Sequence, residues 1–327
     1  MLLVFFSLAG SGFCSLFNLQ SIGANAAILL IIALGQTFVI VSGGIDLSTG
    51  YLLGLVSVVA ASVMTVLAAT LPAPICVMIG MSVGLLAGLV AGWINGTIIA
   101  RLHVPPFIVT LGMQGVLRGI GFVLSGGMPV PIFIKNLGIL GNGYLLYYSP
   151  ITGMTFFRPS VMGGPQLRQT VALLPHPLTL ALLLVLICNL VLSRTRFGLY
   201  TYAIGGSKEA ASRAGIAVAS HTTRIYVVSA LMASIAGLLY AVRFTNGTAN
   251  AGEALTLDSV AAVVIGGASL FGGEGTIVGT LIGTLTISVI TNGLVIMGVN
   301  AFWQYVAVGT VIIMAVLADQ TKSRLVK

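Results

Sequence analysis

Residues 194–224 read Arg194-Thr-Arg196-Phe-Gly-Leu-Tyr-Thr-Tyr-Ala-Ile-Gly-Gly-Ser-Lys208-Glu209-Ala-Ala-Ser-Arg213-Ala-Gly215-Ile-Ala-Val-Ala-Ser-His221-Thr-Thr-Arg224. Five of the 14 basic residues of the chain lie here beside a single acid, and long apolar runs flank the stretch on both sides. A polar, basic segment between such runs has to sit in water while its neighbours do not. Its centre, Ser207 to Gly215, predicts a short helix closed by a glycine. Ala210, Ala211 and Ala214 give that helix a small-residue face. Two readings stand side by side on the residues alone: a basic loop that fixes topology, or a helix that seats in a groove of a partner.

Composition widens the point. Charged residues make up 6% of the 327, hydrophobic ones 57%, and the mean hydropathy is +1.12. A soluble domain carries about 25% charged residues, so most of this surface must face lipid. The first hundred residues hold one charge, Asp46. The 42 glycines suit closely packed membrane helices. The expected fold is an all-α polytopic membrane protein, one transmembrane domain over residues 1–327 with some helices short or broken. Spans are expected at 1–17, 23–42, 48–69, 74–100, 106–124, 172–193, 222–245, 256–272, 276–297 and 301–319. The first is short for a crossing, and it has no basic region of a signal peptide.

An even number of spans puts both termini on one side, together with Arg101, the 194–224 segment, Lys322, Arg324 and Lys327. That side is the more basic one and is expected to be the cytoplasm. Lys135, Arg158, Arg168 and Arg243 fall on the other side, and Arg118 lies inside a span, about 16 Å from its cytoplasmic end at the helical rise. The net charge of +8 therefore reports topology and not nucleic-acid binding. The long external loop, about 125–169, is rich in Gly, Pro and aromatic residues. It reads either as an interfacial segment or as a docking surface.

Gly80, Gly84, Gly88, Gly92 and Gly96 recur every four residues, as do Gly275, Gly279 and Gly283. Such rows clear a stripe for close helix approach, within one bundle or between two copies. A Gly-Gly break recurs as well: Val39 to Gly50, with Gly43 and Gly44, echoes Val264 to Gly273, with Gly266 and Gly267. Broken helices of this kind often border transport sites.

The chain has six acids, and none is expected at mid-membrane. Asp46 reads as a helix cap bonding the Ser48 or Thr49 amide, or as a pathway or gating residue; Asp258, before Ser259, has the same two readings. Arg118 either lines a water-filled path or bonds backbone carbonyls. Gln36, Asn95, Gln114, Asn292 and Gln304 are further candidates to line a path, with Phe107 and Trp303 as stacking surfaces. Cys14, Cys76 and Cys188 lie in apolar runs and read as buried thiols. No lysine follows a phosphate-binding glycine loop, the three histidines have no metal spacing, and no nucleophile elbow is present. An enzyme is thereby disfavoured. Transport remains, driven by a partner or by a gradient.

Several ordered motifs now resemble one family: Gly43-Gly-Ile-Asp-Leu-Ser-Thr-Gly50, Leu117-Arg-Gly119, Thr195-Arg-Phe-Gly198, Ala203 to Ile216, Leu257 to Gly267, Gly272 to Thr280 and Asn292-Gly-Leu294. The chain is similar to permease subunits of bacterial monosaccharide ABC importers of the ribose, xylose and fructose type, a family that includes the autoinducer-2 importer permeases. The resemblance covers about residues 13–320. Three departures stand out: Ser207 replaces the family's usual Asn, Thr49 its usual Val, and the first helix is shorter.

The resemblance implies a bacterial inner-membrane location, a second permease subunit, two cytoplasmic ATP-binding subunits and a periplasmic or lipid-anchored solute-binding protein. ATP and magnesium would be held by the ATPase and no cofactor by this chain. Ser207, Lys208, Glu209, Ala210, Ala211, Ser212, Arg213, Ala214, Gly215 and Ile216 then correspond to the coupling helix gripped by the ATPase. Gly43, Gly44, Asp46, Ser48, Arg118, Asp258, Gly266, Gly267 and Asn292 are the candidates for the pathway or its gate. Arg158 and Arg168 are candidates for docking acidic residues of the binding protein. The alternatives are another small polar solute as cargo, or a gradient-driven carrier acting alone.

Overall fold

The structure is a computed structural model and describes residues 2–10, 12–150, 153–156, 170–300, 302–310 and 313–314. Seven of its helices are long and apolar enough to cross a membrane. They are α2 (Leu16–Val41), α3 (Thr49–Leu67), α4 (Ala73–Arg101), α5 (Pro106–Ser125), α7 (His176–Arg194), α10 (Val218–Phe244) and α12 (Ile277–Ile296). Shorter helices are α1 (Leu2–Ala9), α6 (Leu137–Asn142), α8 (Arg196–Gly206), α9 (Lys208–Arg213) and α11 (Glu253–Ile265).

Local chemistry explains the ends. Ser15 accepts the Asn18 amide at 3.3 Å and opens α2 seven residues earlier than expected. The expected span 1–17 is thus two pieces: α1, about 12 Å long at the helical rise, and the first residues of α2. Phe6 of α1 packs against Gly293 of α12. Proline sits in the first turns of α4, α5 and α7, where no backbone donor is needed. The expected span 256–272 is corrected more sharply. α11 runs for 13 residues, about 20 Å, and stops where Gly266 and Gly267 follow. Of the last expected span, residues 302–310 and 313–314 are helical and the remainder lies outside the described residues.

The 125–169 loop contains strands, which its sequence was not read to predict. β2 (Tyr144–Ser149) pairs antiparallel with β3 (Gly153–Phe156) and with β4 (Val171–Pro175), in the order β3-β2-β4. A second ribbon joins β1 (Val130–Pro131) to β5 (Asn246–Gly247). Its aromatic character persists: Phe156 and Tyr148 are exposed. Arg158 and Arg168 lie outside the described residues.

The core is built around α2, whose Ala27 to Val41 segment is buried throughout. The glycine row of α4 faces α3 at one end and α10 along the rest. A Cβ on Gly96 would stand 2.7 Å from the Thr223 Cα, and one on Gly92 would stand 2.8 Å from the Tyr226 carbonyl oxygen. The second row packs α12 on α11, Gly279 against the Gly266 carbonyl and Gly283 against that of Ala262. Both rows therefore serve packing within the bundle. Cys76 and Cys188 are buried as expected, whereas Cys14 is exposed in the turn before α2.

Arg101, Lys208 and Arg213 line one groove at one end of the bundle, called here the basic end. Arg243 lies at the opposite, loop end, donating 2.6 Å bonds to the Ala24 carbonyl and to Asn25 Oδ1. Bulk at Gly96 cannot be absorbed because its neighbours are backbone. Gly96→Val is expected to destabilise the purified chain by about 1–3 kcal/mol, read as a lower thermal midpoint in detergent. Gly115→Ala, whose added carbon meets nothing within 4 Å, should leave the midpoint unchanged or raise it.

Candidate functional site

The site starts where α2 ends. The Gly43 amide donates to the Ile40 carbonyl at 2.9 Å, and the Gly44 amide to that of Val39 at 3.0 Å. Gly43 takes φ +80°, a left-handed value that closes the helix. The chain then folds back along its own helix, with Gly44 packed on Val39 and the Tyr226 hydroxyl. This return carries Asp46 into the bundle, where it is buried.

Asp46 is held by neutral donors. Its Oδ1 accepts the Ser48 amide at 3.0 Å and the Ser48 hydroxyl at 2.6 Å, and its Oδ2 accepts the Ser229 hydroxyl at 2.8 Å. Asn95 donates to Ser48 Oγ at 3.0 Å. Of the two bonds expected, that to the Ser48 amide is present, but Asp46 is not the cap of α3: Ser48 holds that position, and the carboxylate instead closes the preceding turn and ties it to α10. The network is not saturated. Tyr226 Oη, Thr49 Oγ1, Asn95 Oδ1 and both polar atoms of Gln36 are buried and find no hydrogen-bond partner among the described residues. Buried polar groups without partners are rare in native cores.

Next to this turn, three glycine breaks meet through backbone alone. The Gly273 amide donates to the Val41 carbonyl at 2.8 Å. Gly205, near the end of α8, presses on both: an added Cβ would fall on the Val41 oxygen and lie 2.5 Å from the Gly273 nitrogen. A Cβ on Gly272 would stand 2.9 Å from the Gly205 oxygen and from the Gly43 backbone. The two sequence echoes, around Gly43 and around Gly272, are therefore in contact, with the end of α8 between them. Tyr202 of α8 adds a 2.6 Å bond to the Gly275 carbonyl, and burial pushes its phenol up, keeping it a donor. Thr201 Oγ1 lies 2.9 Å from His221 Nε2, which joins α8 to α10.

Directly after this junction comes α9. Ser207 Oγ accepts the Ala210 amide at 3.2 Å. At the other end Gly215, at φ +82°, lets the Ile216 amide reach the Ala211 carbonyl at 3.1 Å. The glycine end matches the expectation, and the Ser207 cap is added by the structure. Ala211 departs from the expected small-residue face: it is buried against the permease itself, and Ala210, Ser212 and Ala214 are exposed together with Lys208, Glu209 and Arg213. Glu209 and Arg213, both exposed, pair at 4.0 Å. A groove of about 970 Å³ runs beside α9, lined by Arg101, His103, Lys208, Glu209, Ser212 and Arg213 among others.

The remaining candidates separate. Asp258 is not a cap: α11 begins at Glu253, which puts Asp258 well inside the helix. Arg118 makes no carbonyl bond among the described residues; its guanidinium lies 5.5 Å from the Tyr51 ring centroid and 5.9 Å from that of Phe122, on an exposed face of α5. Gly266 serves contact with α12, and Gly267, at φ +89°, the turn after α11. Asn292 Oδ1 accepts from Asn18 at 3.0 Å. Gln114 is partly buried on α5, Phe107 and Trp303 are exposed, and Gln304 donates to the Val299 carbonyl at 3.4 Å. Sequence reasoning missed Ser229, Tyr226 and Gly205. No local signal marks Ser229 or Tyr226, whereas the Gly-Gly pair at 205–206 was visible.

The family model described as "Branched-chain amino acid transport system / permease component" matches residues 18–316. The ribose import permease protein of Bacillus subtilis (strain 168) is 38% identical over 325 residues, covering 99% of this chain and 91% of the relative. The galactose/methyl galactoside import permease protein of Escherichia coli (strain K12) is 34% identical, covering 95% and 88%. The fructose import permease protein of Rhizobium meliloti is 36% identical over 319 residues, covering 98% and 82%. No solved structure matches.

Gly205 and Gly206 offer a matched pair. Gly205→Ala must push apart the Val41 and Gly273 backbones, while a carbon on Gly206 meets nothing within 4 Å. Gly205→Ala is expected to cost about 1–3 kcal/mol in the thermal midpoint of the purified chain, with Gly206→Ala close to the parent.

Proposed function

This chain belongs to the permease family of ABC importers, and we propose that it carries a monosaccharide inward across the bacterial inner membrane, driven by ATP that a partner hydrolyses. It is a multi-pass membrane protein and not an enzyme. Its complex includes ATPase and binding-protein partners. In the proposed assembly two permeases pair, two ATP-binding subunits attach in the cytoplasm, and a periplasmic or lipid-anchored binding protein delivers the sugar at the loop end. The chain itself would need no cofactor, because ATP and magnesium would sit in the ATPase.

The observation that carries this reading is α9. A six-residue helix capped at both ends stands at the basic end with Ala210, Ser212 and Ala214 outward. Small side chains let a partner's groove close on the backbone, and the basic groove beside it suits an acidic rim. The excess of Lys and Arg at this end supports a cytoplasmic position. Movement of α9 would pass to α8 and, through Gly205, to the Asp46 turn and the α11–α12 turn together. One displacement at the basic end would therefore reach all three breaks.

Exposed charge supports a path beside α5. Arg118 of α5 and Glu253 of α11 are exposed and flank Tyr51. Ionised groups at membrane depth are costly against lipid and face a watery path or another subunit. We assign this face to the path between paired permeases, with monosaccharides as cargo because ribose, galactose and fructose appear in the relatives' names.

Ala214→Arg projects outward and spares the core, so it should leave membrane insertion and thermal stability intact while abolishing sugar uptake in proteoliposomes holding the full complex. Uptake equal to the parent would defeat the coupling role of α9. Uptake by the purified chain without ATP would instead favour a gradient-driven carrier.

A further inference from the structure

Asp258 lines two spaces. One, of about 330 Å³, lies between α2, α11 and α12 and is bordered by Asn25, Ser288, Thr291 and Asn292. The other, of about 860 Å³, is bordered by Glu253, Thr291, Gln304 and Tyr305. Because Asp258 and Thr291 belong to both, the spaces adjoin at these two side chains.

The hydrogen-bonding capacity around the smaller space is unevenly used. Asn25 is occupied at both ends, its Oδ1 by Arg243 at 2.6 Å and its amide by Ser21 Oγ at 3.3 Å. Thr291 donates to the Ile287 carbonyl at 2.7 Å. Asn292 has its oxygen taken by Asn18 at 3.0 Å, which leaves its N–H groups to donate. Asp258 has no hydrogen bond and no ion pair with any described residue, and neither does Ser288. An acceptor-only carboxylate and a donor-only amide therefore border one space with their capacity unspent. Asp258 is half-buried, and carboxylates inside membranes mark substrate pathways.

A bare cation fits the carboxylate but is repelled by the amide hydrogens of Asn292. An apolar ligand leaves both unsatisfied. A ligand carrying several hydroxyls satisfies both, because each hydroxyl donates and accepts. Leu29, Leu255 and Ile287 supply an apolar wall for the C–H face of such a ligand. The volume falls within the usual range of small-molecule sites, about 300–1,000 Å³.

The geometry points to a monosaccharide subsite in the wall of the transport path, in which Asp258 accepts hydrogen bonds from sugar hydroxyls and the Asn292 amide donates to a sugar oxygen. This assignment rests on the monosaccharide reading above and names the residues that would hold the cargo after its binding protein releases it. Asp258 and Asn292 stand on facing helices that are joined through the glycine turn at residues 266–276. A shift of that turn would change their separation and weaken the grip.

The test uses the full complex in proteoliposomes with radiolabelled D-ribose, D-galactose and D-fructose in turn. Asp258→Asn and Asn292→Ala are compared with the parent, and thermal midpoint, sugar-free ATPase and association of the binding protein are recorded alongside. For the sugar that the parent imports, Asp258→Asn should lower uptake by about tenfold or more, as expected for a lost hydrogen bond to a charged group, with the thermal midpoint and the association of the binding protein unchanged. Asn292→Ala gives a second route to the same result should Asp258→Asn fail to assemble. Analogues of that sugar lacking one hydroxyl should lose uptake in the parent, with at least one of them losing nothing further in Asp258→Asn. Undiminished uptake in both variants would overturn the subsite and leave the monosaccharide reading standing. A parent complex that hydrolyses ATP yet imports none of the three sugars would overturn both.

Discussion

Backbone amides and carbonyls inside an apolar bundle must find partners, and a broken helix leaves several without one. The contact of Gly43, Gly205 and Gly272–Gly273 answers that constraint. One carbonyl of the α2 end, that of Val41, takes the Gly273 amide at 2.8 Å. A side chain on Gly205 or Gly272 would strike backbone, and Gly43, Gly272 and Gly273 take left-handed φ values, so glycine is what lets the three chain segments meet. The return of the Asp46 turn, the short length of α11 and the placement of α9 all follow from the meeting of these ends. Similar reasoning applies one level up. Gly50 and Gly54 clear one face of α3 so that residues 249–252 can run along it as irregular backbone, with the Thr256 hydroxyl accepting the Gly50 amide at 3.1 Å.

Much of this was legible in the sequence because it is local. Gly215 announces the end of α9, and Asp46 announces a bond to one of the amides that follow it. The glycine rows announce close packing, although not which helices they pack. What was illegible depends on distance along the chain. Ser229 reaches Asp46 across 183 positions and Asn95 reaches Ser48 across 47. Neither is distinguishable in sequence from an ordinary polar residue in an apolar run. α11 was misread for a physical reason as well: the apolar residues continue past Gly266, and hydropathy alone does not register that two glycines end the helix. A second misreading, of the helix start at 256 where α11 begins at Glu253, put Asp258 at a cap when it belongs to the helix interior. The strands of the external loop carried a signal that was passed over, since Tyr144-Leu-Leu-Tyr-Tyr-Ser149 is rich in residues that favour sheets.

The distribution of charge also has a physical logic. Few ionisable groups enter the bundle, and those that do are handled differently. Asp46 is buried among neutral donors, Arg118 rests on aromatic rings, and Asp258 is left without a partner among the described residues. The first two arrangements spread charge over local dipoles and quadrupoles. The third does not, and this difference singles Asp258 out from acids of the same type.

The caps of α9 have one more consequence. A loop that had to fold against a partner would give up roughly 1–2 kcal/mol of backbone entropy for each residue ordered. Six residues already fixed by Ser207 and Gly215 spare nearly all of that cost, so attachment can be firm without a large sticky surface. In the proposed coupling role, a segment built this way would behave as a stiff peg rather than as adhesive.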